Sequence, residues 1–205
     1  MQLIYFPIGG RGELVRLIAH VGGVEDFTET VELPEGVTKA QCGSAGSVPL
    51  LVDGELKMNE STAMEYYVAL VAPKFAGLSP QQRAKDAQFC SLKETCLGAF
   101  AKPLFAGKDK EGIAAAMDKF FPAIEGILPE DGFVNGLDHP TPADLAVLNI
   151  VGTYMPFGAA YKIAGVDLEA KYPKLVAHAK RVKEVDAVAK YLEESVSFEA
   201  AMMGL

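Results

Sequence analysis

Ser47-Val48-Pro49-Leu50-Leu51-Val52-Asp53-Gly54-Glu55-Leu56-Lys57-Met58-Asn59-Glu60-Ser61 reads as a strand, a tight turn, a second strand and the opening of a helix. Two short runs rich in apolar residues, Val48–Val52 and Glu55–Met58, flank Asp53-Gly54, the signal for a hairpin with a type I′ turn. Pro49 cannot donate to a ladder, so it belongs at the first position of its strand, either as an ordinary trans edge proline or as a cis bond that turns backbone groups outward. From Ser61 the apolar spacing becomes helical, and Glu60-Ser61-Thr62 has the composition of a helix start. Such an end either is simply capped by Ser61 or offers its free amides to a carboxylate.

Working outward, residues 2–6 read as a strand, Gly9-Gly10-Arg11-Gly12 as a loop, and Glu13–Val21 as an amphipathic helix. Thr28–Leu33 alternates weakly as a further strand, and residues 34–46 are rich in turn formers. The first third thus reads βαβ(α)ββα. After residues 72–80, punctuated by two prolines and a glycine, residues 81–106, 111–127, 141–160 and 173–194 all carry helical spacing, which predicts an all-α second half of four or five helices. The chain is therefore expected to divide into residues 1–73 and 81–205.

Composition narrows the function. A length of 205 residues, half of them hydrophobic, suits a compact fold, and a net charge of −8 opposes binding to nucleic acid or an anionic membrane surface. No apolar run reaches the ~18 residues of a membrane span, and the N-terminus opens on a strand rather than a leader, so a cytoplasmic location is expected. Three cysteines, Cys42, Cys90 and Cys96, form neither a paired framework nor a metal-ligand spacing. Tyr5 ends the first strand beside Arg11; it is either a core aromatic or a phenol that hydrogen-bonds an anion with help from the guanidinium. The glycines of residues 9–12 do not match a phosphate-binding loop.

Taken in order, Tyr5-Phe6 with Gly10-Arg11-Gly12-Glu13 and Arg16, then Ser47-Val48-Pro49-Leu50-Leu51, then Asn59-Glu60-Ser61, resemble the cytosolic glutathione transferases, most closely the tyrosine-type classes such as sigma. Thr141-Pro142-Ala143-Asp144-Leu145 resembles the capping box that opens that family's core helix, and Tyr172-Pro173-Lys174-Leu175 its C-terminal helices. The resemblance implies an α/β plus all-α architecture: a thioredoxin-like βαβαββα domain that binds glutathione, followed by an all-helical domain carrying a hydrophobic co-substrate. It further implies that Tyr5 hydrogen-bonds the glutathione sulfur with Arg11 adding positive potential. Val48 beside Pro49 would pair with the cysteinyl backbone, Glu60 and Ser61 would take the γ-glutamyl carboxylate, and Lys39 would be the remaining cation for the glycine end.

Glutathione is then a co-substrate, no separate cofactor or metal is expected, and a homodimer is implied. Three departures stand out. The chain has no tryptophan for the glycine clamp, Ser47 replaces the usual Gln or Lys, and Glu94 is the nearest counterpart of the acidic residue that the family contributes from the partner subunit. Two further readings remain open: a non-catalytic ligand-binding or structural relative, and a cysteine-type relative, the latter opposed by the lack of cysteine in residues 5–12. The co-substrate pocket is expected from segments around Lys102–Asp109, Pro156–Tyr161 and Ala200–Leu205.

Overall fold

The computed structural model describes residues 1–195 and 197, so the segment Ala200–Leu205 lies outside the described residues. Four short strands form one mixed sheet in the order β2-β1-β3-β4. β1 (Gln2–Ile4) runs parallel to β2 (Thr28–Thr30) and antiparallel to β3 (Leu50–Asp53), which pairs with β4 (Leu56–Met58). The inner strands supply the fully buried Leu3, Ile4, Leu50 and Leu51, whereas the edges read Thr-Glu-Thr and Leu-Lys-Met, with side chains that tolerate water. β3 is an interior strand, and its proline precedes the ladder, as the missing N–H requires.

The hairpin turn differs from expectation. Asp53 pairs with Leu56 inside the ladder, leaving Gly54-Glu55 as the two turn residues. Gly54 has φ +58 and Glu55 does not share the positive φ, the pattern of a type II′ turn. Including Asp53 in the strand lets its carboxylate accept the Tyr67 hydroxyl at 2.7 Å.

α1 (Glu13–Gly22) ends on Gly23 at φ +78, whose N–H caps the Ala19 and His20 carbonyls. It packs against α2 (Ser61–Val71) and against helices of the second half, so even its polar Glu13 and Arg16 are buried. Where a second helix was expected between β2 and β3, the turn-forming residues make only a single 3₁₀ turn, Ala40–Cys42. The rest is helical: α3 (Pro80–Gly107), α4 (Lys110–Ile127), α5 (Pro142–Val151), α6 (Phe157–Ala164), α7 (Leu168–Lys171), α8 (Pro173–Lys183) and α9 (Asp186–Glu194).

Two expected helices are each split. Residues 141–160 break between α5 and α6, where Gly152 and Pro156 intervene; proline cannot donate within a helix interior. Residues 173–194 break at Glu184 and Val185. Phe157 and Tyr161 then turn into an aromatic core, with Phe100 5.9 Å from Phe121 and 5.7 Å from Phe157 in edge-to-face contact. The segment Pro156–Tyr161 therefore serves mainly as core rather than pocket wall.

α5 is the buried centre of the helical half. Asp144, fully buried, accepts the Thr141 N–H at 2.8 Å and the Val134 N–H at 2.8 Å, and His178 Nε2 donates to it at 2.9 Å. Asp86 on α3 accepts from the Thr141 hydroxyl at 2.7 Å, the Ala143 N–H at 3.0 Å and Asn135 Nδ2 at 3.0 Å. The capping box is thus part of a wider buried polar knot joining α3, α5 and α8. Among the described residues no helix is long and apolar enough to cross a membrane.

Candidate active site

The loop after β1 is positioned from both sides. The Gly10 N–H donates to the Met155 carbonyl at 2.6 Å, and a Cβ on Gly9 would lie 2.5 Å from that same oxygen. From below, the buried Arg16 guanidinium donates to the Phe6 and Ile8 carbonyls at 2.8 and 2.7 Å and to Glu29 at 2.5 Å. Glu13, one turn earlier, accepts the Tyr191 hydroxyl at 2.7 Å and a hydrogen from Ser197, tying the C-terminal helix to the same loop.

Tyr5 stands on this platform. Its hydroxyl accepts the Arg11 backbone N–H at 3.2 Å, which leaves its own hydrogen for another acceptor. Glycine is required around the ring: a Cβ on Gly10, whose φ is +51, would come within 2.4 Å of the hydroxyl, and one on Gly12 within 2.4 Å of the ring. Burial raises the Tyr5 pKa, outweighing the Arg11 N–H and the Arg11 and Arg16 charges, so at neutral pH the group is a phenol able to donate.

The Arg11 side chain reaches α3, where its Nε donates to Glu94 Oε1 at 2.8 Å. Arg11, Ser47, Val48, Pro49, Glu60, Ser61 and Glu94 line one cavity of about 280 Å³. Four residues expected as site members from the sequence beyond Tyr5 and Lys39 converge here with Arg11: Val48, Pro49, Glu60 and Ser61. Glu94, expected only as the nearest counterpart of an acidic residue contributed by a partner subunit, instead lines the cavity of its own chain, reaching it from α3.

Each wall has a local cause. The Val48–Pro49 peptide is cis, and among the described residues nothing pairs with the Val48 N–H or carbonyl, since the β1 ladder begins at Leu50. The preceding loop is braced by Ser44 Oγ, which donates to the Ser47 carbonyl at 2.8 Å. At the other wall, Glu60 rather than Ser61 flanks α2 as its N-cap. Glu60 has φ +68, a conformation costing a non-glycine residue about 1–3 kcal/mol. Among the described residues no side chain caps α2, and the Ser61 residue is 5% exposed, so the helix opens into the cavity with amides that lack a side-chain cap.

Lys39 is not among the residues lining this cavity; its ammonium donates to the Gly46 carbonyl at 2.5 Å, next to Ser47. The cysteines do not furnish a nucleophile. All three are buried and free, burial raises the Cys42 and Cys90 thiols, and Cys96 is pushed up to about 12.

Comparison with known proteins bears on the chain as a whole. The family model for the glutathione S-transferase C-terminal domain matches residues 96–195. The rat glutathione S-transferase alpha-4 is 25% identical over 204 residues, covering 94% of this chain and 87% of the relative. A solved glutathione S-transferase of Caenorhabditis elegans is 27% identical with a TM-score of 0.70, covering 95% of this chain and 97% of that one. A Nu-class enzyme of Haemonchus contortus is 25% identical with a TM-score of 0.70, covering 95% and 96%. The likeness runs through both the strand-bearing third and the helical remainder, so the whole chain is similar to glutathione S-transferases and its residues 96–195 match their C-terminal domain.

Proposed function

We propose that the cavity between β3, α2 and α3 binds glutathione and that Tyr5 activates its thiol for attack on small hydrophobic electrophiles. The observation that carries this reading is the convergence of Arg11, Val48, Pro49 and Ser61 on one cavity, with the Tyr5 hydroxyl bound to the Arg11 backbone. The open Val48 backbone groups suit the cysteinyl residue of the tripeptide, added as a short antiparallel strand. The start of α2 at Glu60 and Ser61, without a side-chain cap, suits the γ-glutamyl carboxylate. Lys39 reaches the glycine carboxylate by giving up the Gly46 carbonyl.

A thiol of pKa ~8.5 is only a few per cent thiolate at neutral pH. Tyr5 donates its hydrogen to the sulfur, and the bond strengthens as the thiolate forms. One hydrogen bond to a charged acceptor, worth ~1.5–3 kcal/mol, corresponds to a pKa depression of about one to two units. Arg11 adds a positive charge, but Glu94 offsets part of it.

The co-substrate belongs in a cavity of about 620 Å³ lined by Gly98, Ala99, Lys102, Pro103, Ala106 and Gly107. Gly98 lies one helical turn beyond Glu94, so this cavity and the glutathione cavity share a face of α3. Residues 1–73 then hold glutathione and residues 81–205 the electrophile. By its resemblance the protein is a cytoplasmic homodimer of a tyrosine-type class such as sigma. The test is a titration of the ultraviolet thiolate band of bound glutathione in wild type and in Tyr5→Phe. A depressed pKa lost in the variant is expected; an unchanged pKa and turnover in Tyr5→Phe overturns the assignment.

A further inference from the structure

Behind the Arg11–Glu94 pair lies a second, fully buried pair. The Lys93 ammonium, 0% exposed, donates to Glu65 Oε1 at 2.6 Å. Taking both charges out of water costs several kcal/mol per ion, which the mutual attraction repays only with full hydrogen bonding. That condition is met only weakly: Glu65 Oε2 has no nitrogen or oxygen donor among the described residues, and the one other group against the carboxylate is the Cys90 thiol, a weak donor. An isolated ion pair optimised for stability would not leave a buried carboxylate oxygen with at most a thiol for a donor.

The same ammonium reaches outward. Lys93 Nζ lies 3.5 Å from Glu94 Oε2, while the other Glu94 oxygen accepts from Arg11 Nε at 2.8 Å. Charges therefore alternate along one path, Glu65, Lys93, Glu94, Arg11, ending at the residue whose backbone N–H holds the Tyr5 hydroxyl. The path also spans both walls of the cavity, because Glu65 lies one turn past Ser61 on α2, whereas Lys93 and Glu94 sit on α3.

We infer that Lys93 and Glu65 are positioning residues for the thiol chemistry: the buried pair fixes the Glu94 carboxylate, and through it the Arg11 guanidinium, beside Tyr5. This rests on the glutathione reading above. Without the anchor, the half-exposed Arg11 and the Glu94 side chain are free to pair further out in water, where their charges are screened from the sulfur. The cavity walls and the Val48 backbone do not depend on the anchor, so glutathione still binds.

The test uses the double variant Lys93→Met with Glu65→Gln, which removes both buried charges and leaves neither stranded. In the wild type, Tyr5→Phe and the double variant, the bound glutathione thiol is titrated and glutathione affinity is measured by calorimetry. Without ligand, the hydrogen-exchange protection of the Arg11 side-chain Nε–H is followed by NMR, with the signal assigned through Arg11→Lys. The expected result is an affinity within about twofold of wild type, a bound-thiol pKa at least half a unit higher, equivalent to about threefold less thiolate, and lost Arg11 protection. A double variant that folds and keeps both the wild-type thiol pKa and Arg11 protection overturns the proposal. Protection lost in the double variant while wild type fails to bind glutathione supports the anchor and overturns the glutathione reading instead.

Discussion

Asp144→Ala is expected to be among the most destabilising single substitutions in this chain, and its cost follows from the contacts. The carboxylate is fully buried and takes three strong hydrogen bonds, from Thr141 N–H and Val134 N–H at 2.8 Å each and from His178 Nε2 at 2.9 Å. A hydrogen bond to a charged group contributes ~1.5–3 kcal/mol, and each donor left buried without a partner costs ~1–3 kcal/mol. Relief of the buried carboxylate's own desolvation offsets part of this, leaving a net loss of ~3–5 kcal/mol, the range for breaking a buried charged pair. For a protein of 150–250 residues each kcal/mol moves Tm by ~2–4 °C, so the expected fall is ~6–20 °C. Urea unfolding followed by circular dichroism measures the loss directly. Asp144→Asn, which keeps one acceptor oxygen but turns an NH₂ toward a donor, should fall between wild type and the alanine variant. Turnover per folded molecule should stay at the wild-type level, since Asp144 does not line the cavity proposed for glutathione. A loss under ~1 kcal/mol would show that these bonds exchange for solvent without penalty and would refute the argument.

Asp86, pushed up to about 6 from 3.8 mainly by burial, gives a pH signature. Its folded pKa lies above the unfolded one, so the native state binds more protons between those values, and this group's contribution to stability is lost as pH rises through that window. Asp86→Asn should reduce the drop in unfolding free energy between pH 4 and pH 7 by ~2–3 kcal/mol relative to wild type, measured by urea melts at both pH values. An unchanged drop would mean that Asp86 titrates normally. Gly10→Ala places a methyl group 2.4 Å from the Tyr5 hydroxyl at φ +51, so turnover should fall about 10–100-fold with a stability loss of ~1–3 kcal/mol. Steady-state kinetics at saturating glutathione that matched wild type would show that the ring moves freely.

The amino-acid sequence by itself determined what depends on short range. Arg11, Val48, Pro49, Glu60 and Ser61, which line one cavity, each sit at an element end marked by glycine, proline or a change of apolar period; Tyr5, at the end of β1, does not line that cavity and touches it through the Arg11 backbone. The same signals anticipated that every described element after β4 is helical. Gly152 and Pro156 carried the break in the 141–160 helix as well, but sustained apolar spacing obscured it. Tertiary structure alone decided the rest, for reasons of packing. Glu94 enters the cavity because α3 crosses the start of α2, and a helix's register toward a distant partner is not written in its own spacing. Lys93 and Glu65, 28 residues apart, would each read as a surface charge; the interface between α2 and α3 removes both from water. The backbone of Glu60 follows the same logic, since its φ of +68 is tolerated where β4 must turn into α2 beside the cavity, a demand of the assembled fold that no residue type announces.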